Sequence, residues 1–141
     1  MSLPQFLLDT NILSEVIKPQ PNSQVMEHLE RFAQSIATTS VTLHELLFGC
    51  YRLPPSKRRQ KLEEYVSSLL TQSIPIFNYD LAAAELHASE RARLVGLGRT
   101  PAYIDGQIAA IAIVNNLVLV TNNTADYADF QNLQLQNWFT S

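Results

Sequence analysis

The chain has a single cysteine, Cys50, and only three histidines, scattered at 28, 44 and 87. A lone thiol closes no internal disulfide and suits a reducing cytoplasm. One Cys with three dispersed His residues does not supply a structural zinc site. No apolar run reaches the length of a membrane span. The opening residues carry no basic segment followed by an apolar one, so export is not expected either. Also missing are a G-x-S-x-G elbow, a supported Cys–His pair and a GxxxxGK[ST] loop, which removes the common nucleophiles and the P-loop. There is no internal repeat, low-complexity tract or linker, so residues 1–141 read as one domain.

What is present fits a folded α/β chain. Hydrophobic residues make up 46% and charged residues 16%, which argues against disorder. Strand-length apolar runs occur at 6–8, 36–38, 74–77 and 117–120, with a weaker alternating run at 133–138. Between them lie helical patterns at 22–34, 42–52, 56–72, 80–95 and 101–114. Asn22, Ser56 and Asp80 read as caps, Pro101 as a first helical residue and Gly96 as a stop. Strands alternating with helices predict βαβ units: a central, mainly parallel sheet covered on both faces, three layers in all.

Ligands of such sheets bind beyond the carboxyl ends of the strands. Polar residues gather there in the sequence: Asp9, Thr10 and Asn11 after the first run; Thr39, Ser40 and then Glu45 after the second; Thr121, Asn122, Asn123 and Asp126 after the fourth. Asp105 lies inside a helix. With Pro101 as first residue it falls past the first turn, beside the buried face of Ile108 and Ala109. A lone carboxylate there costs several kcal/mol or takes up a proton, unless a cation shares the site. Oxygen donors of this kind suit Mg²⁺ or Mn²⁺, and a metal-activated water permits phosphodiester hydrolysis. Each residue also has a plain structural role open to it. Asp9 could cap a helix, "TLHE" at 42–45 has the form of a capping box, and Asn123 with Asp126 could form an Asx turn.

Net charge is −3, so the surface as a whole does not attract polyanions. Lys57, Arg58, Arg59 and Lys61 nevertheless crowd one segment, and Arg91, Arg93 and Arg99 another. Both clusters are open to two readings, solvated helix faces or local phosphate contacts. His28 and His87 are expected at the surface or partly packed, His44 on a different helix face from Glu45, and Cys50 in the core.

Four segments, "LLDTNILSEV" (7–16), "TSVTLHELLFG" (39–49), "AYIDGQIAAIA" (102–112) and "LVTNNTADY" (119–127), resemble in order the acidic blocks of the PIN domain, most of all its VapC toxin branch. The resemblance implies a PIN-like α/β/α domain and a Mg²⁺- or Mn²⁺-dependent endoribonuclease, leaving a 5′-phosphate and a 3′-hydroxyl. Its implied acidic core is Asp9, Glu45 and Asp105, with Asp9 and Asp105 on the metal and Glu45 orienting the water. Asn11, Ser40, Thr121, Asn123 and Asp126 match supporting positions. Many relatives carry a fourth acid where Asn123 stands, so one metal is expected in place of two. The implied partners are RNA, with tRNA foremost, a VapB-like antitoxin and a second copy of the chain. The antitoxin would dock on the helices at 42–52 and 56–72, where Leu46, Leu47, Phe48 and Tyr51 form an apolar surface. Lys57, Arg58, Arg59 and Lys61 would meet RNA or antitoxin.

Two other functions compete. A haloacid-dehalogenase-like phosphatase would also end a strand on a nucleophilic Asp, but it needs a second acid where Asn11 stands and a later lysine. No lysine follows Lys61. A PIN-like protein that binds RNA or antitoxin without cutting is the other, and Asn123 is the residue that favours it.

Overall fold

In the computed structural model, which describes residues 3–140, strands and helices alternate as the apolar pattern predicts. Their order is β1 (Phe6–Leu8), α1 (Thr10–Glu15), α2 (Ser23–Arg31), β2 (Ile36–Thr39), α3 (Ser40–Tyr51), α4 (Lys57–Thr71), β3 (Ile76–Phe77), α5 (Leu81–Gly96), α6 (Tyr103–Val114), β4 (Val118–Val120), α7 (Thr124–Tyr127) and β5 (Gln134–Gln136). The strands form one sheet in the order β3-β2-β1-β4-β5. Every pairing is parallel, with Phe6 opposite Ile36 on one side and Val118 on the other.

Side-chain alternation along the strands divides the interior into two cores, as a period of two requires. Leu7, Ala37 and Leu119 face a core built with Ala83 and Leu94 of α5, Ile108 and Ile111 of α6, and Tyr127. Phe6, Leu8 and Val120 face the other, with Ile12 and Leu13 of α1, Val25 of α2, Leu69 of α4 and Trp138. Helices thus cover both sheet faces, giving the three layers α/β/α. Trp138 is fully buried and lies against Phe6, His28 and Phe32 at ring separations of 5.3, 5.1 and 5.8 Å. No helix among the described residues is long and apolar enough to cross a membrane.

Caps explain where most helices begin. Asn22, Ser56 and Asp80 each accept a hydrogen bond from the backbone N–H three residues on, at 3.0, 3.1 and 3.0 Å. Three boundaries differ from the sequence expectation. Thr39, not Thr42, caps α3, its hydroxyl accepting from the N–H of Thr42, so no capping box forms at 42–45. Gly96 is the last residue of α5, and it is Gly98 that takes the left-handed conformation, φ 76°, as the chain leaves the helix. Helix α6 starts at Tyr103 with Ala102 as its cap, two residues beyond the expected Pro101.

Candidate active site

The strand order places a topological switch at β1, which has β2 on one side and β4 on the other. Chains leaving β1 and β4 diverge there, and the gap between them is a cavity of about 510 Å³. Asp9, Asn11, Ser14, Glu45, Asp105 and Asn123 line it together with Thr10, Ala102, Ile104 and Ile108. Acids from three separate segments therefore share one cleft, and no lysine or arginine is among the described residues around it.

Asp9 caps a helix and lines the cleft at once. Its Oδ1 accepts from the N–H of Thr10 at 2.8 Å, capping α1. Its Oδ2 accepts from the Thr121 hydroxyl at 2.9 Å, the Tyr127 hydroxyl at 3.2 Å and the Asn11 amide at 3.5 Å. Asn11 also donates to Thr121 Oγ1 and accepts from the N–H of Asn122, stitching α1 to the loop after β4. Thr121 Oγ1 in turn accepts from the N–H of Asn123. Asp9 is thus 6% exposed and held on every side by neutral donors, the arrangement a buried carboxylate needs.

Asp105 stands opposite, in the first turn of α6 and not past it. The later start of the helix, at Tyr103, is the reason, and it brings the positive end of the helix dipole to this carboxylate. The Tyr127 hydroxyl reaches Asp105 Oδ1 at 3.3 Å, so a single buried phenol spans Asp9 and Asp105. Burial pushes the Asp105 carboxyl above its ordinary 3.8, and the negative charge of Asp9 adds to this. Tyr127 opposes the rise by donating its proton, while Asp126 and Glu45 repel in the same sense as Asp9. The Tyr127 phenol is itself driven far up by burial and the two acids, so it stays protonated and donates.

The remaining expected residues are distributed as follows. Glu45, half-buried on α3, and Asn123, the exposed cap of α7, both line the cavity. Asp126 is exposed on α7, near enough to Asp105 to be felt electrostatically. Ser40 opens α3 but does not line the cavity. Among the described residues no three His, Cys, Asp or Glu side chains converge closely enough to enclose one ion. A divalent cation would therefore draw on two carboxylates and complete its shell with water, the manner usual for Mg²⁺. The unshared lone pairs of Asp9 Oδ1 and of Asp105, and the burial and repulsion that raise Asp105, fit such a cation.

Beside the cleft, sharing Ser14 with it, opens a second cavity of about 940 Å³. Lys18, Lys57, Arg58, Lys61, Ile17, Pro19 and Leu62 complete its wall. Arg59 is absent from it because it bonds Glu63 at 2.8 Å and the carbonyl of Leu53 at 3.1 Å. Two of the three arginines of the second basic cluster are also paired. Arg93 holds Glu90 and the carbonyl of Asp129, and Arg99 pairs with Asp129 at 3.1 Å.

Two residues carry more than the sequence reading gave them. Tyr127 bridges the acids, although only its place inside a matching segment marked it. His87 is not a surface residue: it is 4% exposed and holds the Tyr79 hydroxyl at 2.7 Å. His44, by contrast, is exposed on α3, its ring beside that of Phe48, and Cys50 is buried.

Comparison with known proteins identifies the family of the fold. Residues 6–132 match the PIN domain family. The chain is 34% identical to the tRNA(fMet)-specific endonuclease VapC of Shigella flexneri, over 95% of this chain and 98% of that protein. It is 33% identical to Toxin FitB of Neisseria gonorrhoeae, over 86% and 89% of the two chains. Its fold is similar to that in the crystal structure of VapBC2 from Rickettsia felis bound to a DNA fragment from their promoter. There the TM-score is 0.82 at 28% identity, covering 97% of this chain and 99% of that one. The chain belongs to the PIN-domain family. Within that family it is similar to the VapC ribonucleases and toxins.

Proposed function

We propose that the protein is an endoribonuclease, the toxin of a toxin–antitoxin pair, which cuts RNA with the help of Mg²⁺ or Mn²⁺. The observation that carries the reading is the convergence of Asp9, Glu45 and Asp105 from three segments on one cleft, with a carboxyl raised by burial and then by its neighbours' charge. Asp9 and Asp105 would hold the cation, and Thr121, Asn11 and Tyr127 keep those two carboxylates in place. When bound, the cation supplies Lewis-acid polarisation of the phosphate and a more acidic water. Glu45 takes the proton of the attacking water as its oxygen adds to phosphorus. The bond to the 3′ oxygen breaks, and that oxygen leaves with a proton from solvent, giving a 5′-phosphate and a 3′-hydroxyl.

The relative named as a tRNA(fMet)-specific endonuclease makes tRNA the first substrate to test. Lys57, Arg58 and Lys61, exposed on the adjoining groove, would meet its phosphates. An antitoxin would dock on the α3–α4 hairpin, where Phe48 and Tyr51 are 55% and 57% exposed. The active particle would be a homodimer, a proposal that a sedimentation measurement decides. The purified protein, given Mg²⁺ or Mn²⁺, is expected to cleave tRNA, and Asp9→Ala to leave it whole. Intact tRNA with both proteins would defeat the reading. The same outcome, with tight RNA or antitoxin binding retained, would support the second reading: a PIN-like binding protein that has lost cleavage with the acid replaced by Asn123.

A further inference from the structure

Gly106 follows Asp105 in the first turns of α6, where a glycine costs about 1 kcal/mol against alanine. A close approach accounts for it. A Cβ built at Gly106 would lie 2.7 Å from Cδ2 of His87, and closer still to its Nε2. His87 is held against this turn. Its Nδ1 is tied to the Tyr79 hydroxyl at 2.7 Å, and the ring of Tyr103 stands 4.9 Å away under the Arg91 guanidinium. The imidazole therefore fills the space between α5 and the backbone of the turn that carries Asp105.

We propose that His87 is a positioning residue: seated against Gly106, its ring sets how far Asp105 reaches into the cleft. The inference rests on the reading of Asp105 as a metal-holding carboxylate. It adds a residue from α5, outside all four acidic segments, to the machinery. Burial and the nearby Arg91 charge hold the imidazole below its ordinary range, so the spacer is neutral at physiological pH. The proposal stands on the packing alone.

Three variants test it: Gly106→Ala, His87→Ala and the two combined. Circular dichroism checks the fold, Mn²⁺ affinity is read by paramagnetic resonance, and tRNA cleavage is resolved into kcat and KM. A misplacement of about 1 Å can cost up to ~100-fold, so Gly106→Ala is expected to lose about tenfold or more in both Mn²⁺ affinity and kcat. Its KM for tRNA should stay near the wild-type value. Removing the ring as well gives the new methyl its space, and the double variant should return to within about threefold of His87→Ala alone. Wild-type Mn²⁺ affinity in Gly106→Ala, or a double variant no better than it, overturns the proposal. Should Gly106→Ala fail to fold, His87→Ala decides: several-fold weaker Mn²⁺ binding supports the spacer, unchanged affinity defeats it. If the wild type binds Mn²⁺ yet cuts no tRNA, the nuclease reading fails while the order of affinities still judges the spacer.

Discussion

The acidic cleft and the basic groove share Ser14 and differ in nearly everything else. The cleft draws on Asp9 after β1, α1, α3, α6 and the segment after β4, so that residues more than a hundred positions apart touch. Its central carboxylate is buried and accepts bonds from four donors. The groove owes three of its four cations to the start of one helix, all exposed and on flexible stems. Chemistry asks for fixed distances, which only a cross-linked core supplies. Holding a polyanion asks for charge that follows the chain it meets, which mobile lysines supply. The two surfaces therefore should fail differently when altered.

The largest effect is expected in the cleft. Asp9→Asn or Asp105→Asn should lower kcat on tRNA about 100-fold or more, in line with loss of a metal-holding charge. Single-turnover cleavage at saturating tRNA checks this, and retention of a tenth of the activity would show that the residue is not on the metal. In the groove, Lys57, Arg58 and Lys61 replaced together by Ala should weaken tRNA binding about tenfold and leave kcat alone. The salt dependence should flatten by about 2, at roughly 0.7 per phosphate contact on a single strand. A change confined to kcat would mean that the groove belongs to the chemistry.

Smaller effects sharpen the contrast. Tyr127→Phe keeps the ring and removes the one proton shared by Asp9 and Asp105. It should cost about 1–3 kcal/mol in urea unfolding of the metal-free protein. The pH dependence of Asp105 has a definite sign. Its folded carboxyl titrates above the ordinary 3.8, so the folded state binds the proton more tightly. Its contribution therefore turns unfavourable as pH rises from about the ordinary value through the raised one. Subtracting the Asp105→Asn profile from that of the metal-free wild type isolates this window. Saturating Mn²⁺ should reverse the sign of the difference, because the cation stabilises the ionised carboxylate that the variant lacks. Smallest of all, Arg59→Ala should cost less than about 1 kcal/mol, by thermal unfolding, and not alter tRNA binding.

How much of this was legible in the sequence follows from the range of each interaction. Buried strands announce themselves as apolar runs, and β1, β2 and β4 lie within a residue of the expected limits. Caps are local, so Asn22, Ser56 and Asp80 were readable. Strand β3 is shorter than its apolar run because Ile74 and Pro75 lie before it, and Pro75 offers a carbonyl to Thr38 but no N–H. Asp9, Glu45 and the set at 121–126 could be placed at one sheet edge from topology alone, whereas Asp105, inside a helix, joined them only through the cost of its burial and the family resemblance. The bond from Tyr127 to both acids could not, since it depends on where α7 tilts a single ring. Nor could the burial of His87, whose signal in the sequence is only a glycine nineteen positions away.

Trp138, two residues beyond β5 and sealed against Phe6, His28 and Phe32, is the sole tryptophan of the chain. Its emission is therefore a built-in gauge, reporting one place and one event: the loosening of the outermost strand on the layer opposite α6. Followed beside tRNA scission in the same cuvette, it tells a damaged scaffold from a damaged cutter without any added label.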